Sequence, residues 1–374
     1  MSRIIFTRSN PINPDSRIEK EMLTLLEEGY HVEGIGWDRT AGENPSFSKS
    51  VGEYDVGIIE IPIASQFGVG FKKNLLPLFK FQLRLFKTLW KKRKNIDIVH
   101  ACDFDTALTS FLFCKMAKKK LVYDIFDYYV DAYSVPQKLR PIIERMDWHI
   151  MNHADATIIC TEERKQQICG AEPKRLTVVQ NSPQDVHYCT EQHGNKVPTI
   201  GYFGILGDGR LIRELVSIVA ERSDLRLLIG GFGQHEQWIR KVTSQCQNIE
   251  FFGKIPYAEV IAKERQCDIL TAIYDPAFPN HKYAAPNKFY ESLMLGKPVL
   301  MCRGTGMSSI VEENSIGVLI EEYSQNGLNK GIDELLKQKD KWKTMGEVGR
   351  KLYAEKYSWK ASAENLISIY RQIG

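Results

Sequence analysis

The chain of 374 residues has a formal net charge of +4, with 43% hydrophobic and 26% charged residues. These proportions are those of a soluble globular protein, and so small a net charge gives no argument for nucleic-acid binding. The length exceeds what one ordinary core accommodates, so two domains are expected.

The cysteines and the N-terminus predict the compartment. Eight cysteines are scattered along the chain without a C-x-x-C pair, which predicts reduced thiols and no zinc site. The apolar run within Met1–Arg8 is too short for a signal peptide, and no apolar stretch is long enough to span a bilayer. A cytoplasmic protein is therefore predicted.

The N-terminal part has the pattern of a β-α-β unit that opens a parallel sheet. Arg3–Phe6 is predicted as a strand, about Ser16 to Glu28 as a helix and His31–Ile35 as the next strand. The loop before Arg17 follows the first strand, where open α/β sheets bind their ligands. Arg17 is therefore a candidate ligand contact, and a solvated arginine at a helix start is the alternative.

The segment from Phe71 to Lys94 is basic and contains no acidic residue. Its apolar residues recur at helical spacing, and Pro77 is predicted to start the helix. One interpretation is a cationic helix that lies on an anionic membrane, peripherally on its inner face. Packing of this helix on its own sheet is an equal alternative. Nucleic-acid binding is a weaker third interpretation, because no recognised binding motif accompanies the charge. The predicted membrane patch comprises Lys80, Arg84, Lys87, Trp90 and Lys91.

Acidic residues follow two further strands of this half. Asp103-Phe104-Asp105 matches a D-x-D pattern, but its place between a strand and a helix favours helix capping, and no metal is predicted. Asp124 and Asp127 end the next strand, where Asp127 is a candidate contact for a sugar hydroxyl or a capping or solvated aspartate. The remaining predictions here are helices at 136–152 and 162–168 and strands at 156–160 and 176–179.

A polar stretch from Asn181 to Lys196 separates two strand-helix series. The predicted organisation is a first Rossmann-like domain at 1–185, a linker at 186–197, a second domain at 198–356, and a C-terminal helix at 357–374 that crosses back to the first.

A glycine-rich turn, Gly204–Arg210, follows the first strand of the second series. Such a turn lets backbone amides approach phosphate oxygens, and Arg210 can neutralise them, although glycines here also serve tight packing. Gly230–Gly233 does not fit the dinucleotide fingerprint, so NAD is not predicted.

The segment Ala285–Leu300 is predicted as a short helix followed by a buried strand. Pro286 suits a first helical position, and Gly296 suits the left-handed residue that ends a helix. Lys288 and Glu291 share one face of this helix. The charged amine of Lys288 can bind a diphosphate, and the neighbouring carboxylate of Glu291 can bind ribose hydroxyls. The alternative is a Lys-Glu pair that only interacts in water.

These motifs resemble the retaining glycosyltransferases of family 4, which have the two-domain GT-B fold. The resemblance is carried by Pro286–Glu291 with Gly296–Val299, and by Phe252–Lys254 with Asp268-Ile269. It implies an α/β protein with two Rossmann-like parallel-sheet domains facing a cleft. It also implies transfer of a sugar, of hexosyltransferase type, from a nucleotide diphosphate donor, UDP-sugar favoured, to a glycan hydroxyl in surface polysaccharide synthesis. If the segment from Phe71 to Lys94 lies on a membrane, a lipid-linked acceptor is expected.

The residues and the resemblance together give candidate site residues, and a metal-independent reaction without a cofactor is predicted. The catalytic candidates are Asp127, Arg210, Lys288 and Glu291, with Arg17 and Asp124 on the acceptor side. The donor-binding candidates are Gly204, Gly207, Phe252, Gly253, Lys254, Tyr283, Pro286 and Asn287.

Two positions depart from the family pattern. Tyr283 stands where the family often has a second glutamate, and Phe126 stands where it often has a histidine. Both family residues contact the donor sugar. The alternatives are therefore a catalytically inactive GT-B module that binds a nucleotide sugar or supports a partner enzyme, and a nucleotide-sugar epimerase of the same architecture.

Overall fold

The computed structural model describes residues 1–42, 46–65, 71–133, 135–186 and 195–374. The chain forms two compact units, of which the first contains Met1–Gln180 and Ser362–Gly374 and the second Asn181–Ala361. Residues 187–194, most of the predicted linker, lie outside the described residues. Each unit is an α/β domain with a mainly parallel sheet, as predicted.

The first unit is built on a sheet of eight strands among its described residues, in the order β3-β4-β2-β1-β5-β6-β7-β8. All neighbours pair in parallel except β3 and β4, which are antiparallel. The strands are β1 (Arg3–Thr7), β2 (His31–Asp38), β3 (Ser46–Val51), β4 (Tyr54–Pro62), β5 (Ile98–Cys102), β6 (Lys120–Ile125), β7 (Ala156–Ile159) and β8 (Leu176–Val178).

The helices of this unit bury apolar faces against the sheet. In α1 the side chain of Asp15 accepts a hydrogen bond from Ile18 N (3.3 Å) and caps the helix start, while Ile18, Met22 and Leu25 are fully buried. The helices are α1 (Ser16–Glu27), α2 (Phe71–Lys92), α3 (Phe104–Ala117), α4 (Tyr129–Ala132) and α5 (Arg140–His153).

Three sequence predictions for this unit were incomplete or wrong. The strands β3 and β4 were not predicted. Helix α2 begins at Phe71 and continues through Pro77, so the missing proline N–H removes one hydrogen bond without ending the helix. The helix predicted at 162–168 is a 3₁₀ turn at Glu162–Gln166, capped by Thr161.

The second unit has six strands among its described residues, all parallel, in the order β11-β10-β9-β12-β13-β14. The strands are β9 (Thr199–Ile205), β10 (Arg226–Phe232), β11 (Ile249–Phe251), β12 (Ile269–Ala272), β13 (Val299–Cys302) and β14 (Gly317–Ile320). Its helices are α6 (Ile212–Ala220), α7 (Glu236–Thr243), α8 (Tyr257–Arg265), α9 (Pro279–Lys282), α10 (Asn287–Met294), α11 (Ser308–Asn314), α12 (Gln325–Lys337) and α13 (Trp342–Leu352).

The segment Ala285–Leu300 has the predicted helix-turn-strand structure. Pro286 occupies the position before the first residue of α10, and Gly296 has φ +60°, the left-handed conformation expected after a helix. The last helix, α14 (Trp359–Ile373), contributes its residues from Ser362 onward to the first unit.

Candidate functional site

The candidate site of the second unit lies where its strand order reverses. The chain runs from β9 to β10 and β11 on one side, then returns to pair β12 with β9 on the other. In open parallel sheets, ligands bind beside the carboxyl ends of the strands at such a switch point. The glycine turn Gly204–Arg210 follows β9 there, and Tyr274 follows β12.

The glycine turn has backbone conformations that require glycine at two positions. Gly204 has φ +153° and Gly209 has φ +75°. A Cβ atom on Gly204 would collide with Lys288 Nζ, so the absence of a side chain lets this lysine reach the turn. Gly207 has no such restriction, because a Cβ atom there would lie 3.7 Å from the nearest atom, Ile205 Cγ2.

Lys288 extends from the first turn of α10 across the end of β9. Its Nζ lies 5.1 Å from the ring centroid of Tyr202, and it forms no ion pair among the described residues. Burial lowers the pKa of Lys288, but the acidic groups of Tyr274, Tyr202 and Glu291 together raise it above its ordinary value. The amine therefore stays charged at neutral pH and points at the turn beside the N-terminus of a helix, an arrangement that suits a phosphate.

Arg210 joins the same cluster through an aromatic ring. Its guanidinium carbon lies 5.2 Å from the ring centroid of Tyr274, and its Nη1 donates to Asp208 O at 3.1 Å. Burial raises the pKa of Tyr202, and the charges of Lys288 and Arg210 both oppose that rise, so both cations lie near this hydroxyl group. The structure thus brings together two cations, 78 residues apart in the chain, at one end of the sheet.

Glu291 lies one turn along α10 from Lys288 and is only 4% exposed. Burial, and next the charge of Glu291, raise the pKa of the Tyr257 hydroxyl and of the Glu264 carboxyl group, so both groups lie near this carboxylate. A buried carboxylate that accepts from hydroxyl groups is suited to bind the vicinal hydroxyls of a ribose. The sequence interpretation did not include Tyr202, Tyr274, Tyr257 or Glu264, because no local motif marks them.

The other donor-binding candidates lie near this cluster with varied exposure. Gly253 has φ +67°, and its carbonyl accepts from Gly231 N at 2.7 Å, which ties the end of β11 to β10. Phe252 is half-buried against Lys263, and Lys254 is exposed. The remaining candidates are the buried Pro286, the exposed Asn287, which accepts from Asn181 Nδ2 at 3.0 Å, and the half-buried Tyr283 after α9.

The first unit also has a switch point, between β1 and β5. There Arg8 forms ion pairs with Asp103 and with Asp15, the latter at 3.2 Å. Asp103 accepts hydrogen bonds from Phe126 N and Asp127 N, at 2.9 and 3.2 Å, and does not cap α3 with its side chain. The predicted capping role of the D-x-D segment is therefore wrong for Asp103. Burial raises the pKa of Asp103 to about 6, against the opposing charge of Arg8.

Arg17 and Asp124, predicted on the acceptor side, lie in the core of this unit. Arg17 is 2% exposed and Asp124 is fully buried. The guanidinium stacks over the Phe126 ring, 4.7 Å from its centroid. So deep a burial is incompatible with a direct contact to an acceptor, and the two side chains instead pair with each other. Asp127 keeps a half-exposed side chain, and its Oδ1 accepts from Arg164 Nη2 at 3.0 Å.

Glu21, His100 and Asp124 form a group of three potential metal ligands among the described residues. Arg17 Nε already lies 3.0 Å from Glu21 Oε1, and Nη2 lies 2.8 Å from Asp124 Oδ1. The guanidinium supplies the positive charge that these carboxylates require. We therefore assign the group to structure, and metal-independent chemistry stays a prediction.

Helix α2 leaves an apolar row exposed beside the predicted cations. Leu76, Phe79 and Leu83 are 62%, 60% and 57% exposed, and Lys80, Arg84, Lys87 and Lys91 are exposed next to them. Trp90 does not belong to this row, because it packs half-buried on the core against Phe86 and Phe113. The prediction of Trp90 as part of the membrane patch is therefore wrong.

Two neighbouring helices, α3 and α5, also expose apolar side chains. Gln82 of α2 hydrogen-bonds Thr109 of α3, and Phe111 of α3 meets His149 of α5 edge to face. We define the basic apolar surface as the α2 cations Lys80, Arg84, Lys87 and Lys91 with the exposed Leu75, Leu76, Phe79, Leu83, Leu112, Met116, Ile142 and Met146. Within the described part of the chain, no helix has the length and hydropathy needed to cross a bilayer.

Part of the second unit matches a known protein family. Residues 207–352 match the family described as "Glycosyl transferases group 1". A GDP-mannose-dependent monoacylated alpha-(1-6)-phosphatidylinositol monomannoside mannosyltransferase of Corynebacterium glutamicum is 27% identical over 165 residues, 44% of this chain and 43% of that protein. A probable glycosyltransferase, WbjE, of Pseudomonas aeruginosa is 28% identical over 46% of this chain and 44% of its own length. This chain thus spans less than half the length of these relatives.

Solved structures share the fold over the whole chain. Sucrose-phosphate synthase from Thermosynechococcus elongatus has a TM-score of 0.72 and 17% identity, and covers 100% of this chain and 99% of its own. Anabaena HepE in complex with UDP-glucose has a TM-score of 0.72 and 13% identity, with 100% of both chains covered. The predicted GT-B fold class is confirmed, and the match to the group 1 glycosyl transferases lies within the second unit.

Proposed function

We propose that this protein is a retaining glycosyltransferase that transfers a sugar from a nucleotide diphosphate donor to a hydroxyl group of a glycan. The observation that carries the proposal is the placement of Lys288 and Glu291 on adjacent turns of α10, beside the glycine turn of a sheet's switch point. A diphosphate meets Lys288, Arg210 and the helix amides, while ribose hydroxyls meet Glu291. The group 1 domain supports the reaction class.

The same residues supply the chemistry of transfer. When the bond between the sugar and the diphosphate breaks, negative charge grows on the leaving oxygens. Lys288 and Arg210 are positioned by the rings of Tyr202 and Tyr274 before the reaction starts, so little reorganisation is needed to stabilise that charge. Asp127 stays the candidate contact for a sugar hydroxyl in the first unit.

A UDP-sugar is the favoured donor. Its support is the structural similarity to HepE, whose structure contains UDP-glucose. The GDP-mannose dependence in the name of the Corynebacterium relative makes GDP-sugars the competing donors. Both nucleotides carry the diphosphate and ribose that the site contacts, so the base is the discriminating group.

We also propose that the acceptor is lipid-linked and that the basic apolar surface binds an anionic bilayer. Exposed leucine, phenylalanine and methionine side chains beside a row of lysines fit the boundary between headgroups and acyl chains. Lys80, Lys87 and Lys91 have no carboxylate partner among the described residues, so anionic lipids provide the complementary charge.

Thermal unfolding with UDP, GDP, UDP-glucose and GDP-mannose tests the donor site. A ligand that binds only the folded protein raises the midpoint temperature of unfolding. At a free ligand concentration of 100 times Kd, it adds about 2.7 kcal/mol to the free energy of unfolding. We expect one nucleotide series to stabilise the wild type, and Glu291→Ala and Lys288→Ala to lose that shift. Lys337→Ala, on the exposed end of α12, is the control and should retain it.

Turnover then separates the remaining alternatives. Transfer to a glycan acceptor with retained anomeric configuration supports the proposal. Binding without turnover of any donor indicates the inactive module suggested by Tyr283 and Phe126, and conversion of the sugar without an acceptor indicates an epimerase. Absence of nucleotide binding, or binding that survives both substitutions, rules out the proposed site.

A further inference from the structure

The loop that follows β12 folds over the glycine turn of the second unit. Asp275 N donates a hydrogen bond to Gly209 O at 2.9 Å. His281, in the short helix α9, lies against the same turn, because a Cβ atom on Gly209 would be 3.1 Å from His281 Cε1. The imidazole of His281 thus borders the backbone on which the phosphates of the donor are proposed to bind.

Three contacts orient the His281 ring. It packs edge to face on the Tyr274 ring, with centroids 5.1 Å apart, and its centroid lies 5.2 Å from that of the Phe278 ring. Its Nδ1 lies 3.2 Å from Asp275 O. A carbonyl oxygen only accepts hydrogen bonds, so Nδ1 carries a proton and donates. A second proton on the ring therefore occupies Nε2 and makes the ring an imidazolium.

His281 shares its aromatic neighbour with Arg210. The guanidinium carbon of Arg210 lies 5.2 Å from the centroid of the Tyr274 ring. Lys288 approaches the first residue of the turn, Gly204, from α10. Three basic side chains therefore border one glycine turn, and they come from α9, α10 and the turn itself. A diphosphate presents acceptor oxygens on both of its phosphate groups, so it can engage all three.

We propose that His281 is a further residue of the donor site: in the complex its imidazolium donates a hydrogen bond from Nε2 to a phosphate oxygen of the nucleotide. This inference rests on the proposed function, in which the glycine turn binds the diphosphate. A phosphate beside an imidazole favours the charged form of the ring. The same contact stabilises the negative charge that grows on the leaving diphosphate, so His281 contributes to transfer as well as to binding.

The proposed contact predicts a loss of affinity that depends on the phosphates of the ligand. Uridine, UMP and UDP have the same base and ribose and differ only in their phosphate groups. His281→Phe keeps an aromatic ring beside Tyr274 and Phe278 but has no nitrogen atoms, whereas His281→Gln keeps an N–H donor without a charge. A residue that only shaped the loop would affect the binding of all three ligands alike.

The test measures the Kd of the three ligands, or of guanosine, GMP and GDP if the protein prefers guanine, for the wild type and both variants. We expect His281→Phe to weaken UDP binding about tenfold or more, since one charge-assisted hydrogen bond is lost, and uridine binding less than about twofold. His281→Gln should lie between the wild type and His281→Phe. The UMP value decides which phosphate group His281 contacts. His31→Phe, at an exposed position of β2, is the control and should follow the wild type.

Nitrogen NMR of protein with ¹⁵N-labelled histidine gives a measurement that does not depend on affinity. The signals of the His281 ring are those that disappear in His281→Gln. In the UDP complex at pH 7 they should be those of a ring protonated at both nitrogens. A ring that is neutral in this complex overturns the inference. It is also overturned if His281→Phe binds UDP as tightly as the wild type, or loses affinity for uridine and UDP equally.

The same measurements separate this inference from the proposed function. If the wild type binds UDP or GDP and Glu291→Ala does not, but the His281 variants bind the nucleotide normally, only the inference fails. If neither nucleotide binds the wild type, the proposed function fails.

Discussion

Arg17 donates hydrogen bonds to both carboxylate oxygens of Asp124, with Nη2 2.8 Å from Oδ1 and Nε 3.2 Å from Oδ2. The same guanidinium lies against Glu21, and His100 connects Asp124 to the hydroxyl of Tyr370 in α14, 2.7 Å from His100 Nδ1. This buried network joins the chain's first helix, two central strands and its last helix inside the first unit.

Replacement of Arg17 by methionine should strongly destabilise the protein. The change leaves two buried carboxyl groups without their cation, and removal of one partner from a buried ion pair costs about 3–5 kcal/mol. Urea unfolding at pH 7 measures the effect. Arg371→Met is the control, because Arg371 pairs with Glu28 at the surface, where the cost is about 1 kcal/mol or less. Equal losses in the two variants would contradict the structural role of Arg17.

Two glycines of the same turn should respond differently to alanine. Gly204→Ala strains a backbone at φ +153° and pushes Lys288 from its place, so we expect a loss of about 1–3 kcal/mol in stability. Gly207→Ala has room and no positive φ, and its stability should be unchanged or higher by up to about 1 kcal/mol. Thermal unfolding of both variants without ligand measures this difference, and similar losses would refute the described turn.

Asp147 should make stability depend on pH. It is buried, accepts from the Tyr123 hydroxyl at 2.7 Å, and burial raises its pKa to about 7. The folded state therefore retains a proton that the unfolded chain loses near pH 4. This contribution is complete below about pH 4 and is lost as the pH rises to about 7, by at most about 1.4 kcal/mol per pH unit.

The asparagine variant isolates this titration. Asp147→Asn does not ionise, so its free energy of unfolding relative to the wild type should rise between pH 4 and pH 8. Denaturant unfolding of both proteins across this range measures the difference. A difference that stays constant with pH would show that Asp147 titrates normally.

The basic apolar surface should bind vesicles that contain anionic lipid. Phe79→Ser with Leu83→Ser removes the inserted side chains and should abolish sedimentation with vesicles. Lys87→Ala should weaken binding about fivefold, corresponding to about 1 kcal/mol per surface lysine, and this effect should shrink in high salt. Tyr54→Ser, on β4, removes another exposed apolar side chain and serves as the control. Salt-insensitive binding, or binding that survives the double substitution, would contradict a lipid-facing role.

Local signals in the sequence predicted much of the fold because they depend on neighbouring residues. Pro286 and Gly296 mark the two ends of α10: Gly296 has the predicted left-handed conformation, whereas Pro286 is extended and precedes the first helical residue instead of occupying it. Lys288 and Glu291 then follow on one face by helical spacing alone. The strand Ser46–Val51 was missed, because its polar sequence becomes a strand only through antiparallel pairing with β4.

Burial decided which polar residues are accessible. Arg17 lies at the start of the helix after β1 and Asp124 near the end of β6, where ligand contacts are expected, but they are 107 residues apart and neutralise each other in the core. The spacing of charged residues along a chain contains no information on such a pairing. Trp90 likewise belongs to a helix with an exposed apolar row, and only its contact with Phe113 of α3 shows that it faces inward.

By itself the sequence determined the two α/β units, the glycine turn and the helix that presents Lys288 and Glu291, because these follow from local conformational preference and hydrophobic periodicity. Only the tertiary structure decided which groups stand beside them. Tyr202, Tyr274 and Glu264 reach the cluster from three other elements of the second unit. Their effect on charge and orientation depends on distances that the packing of whole strands and helices sets.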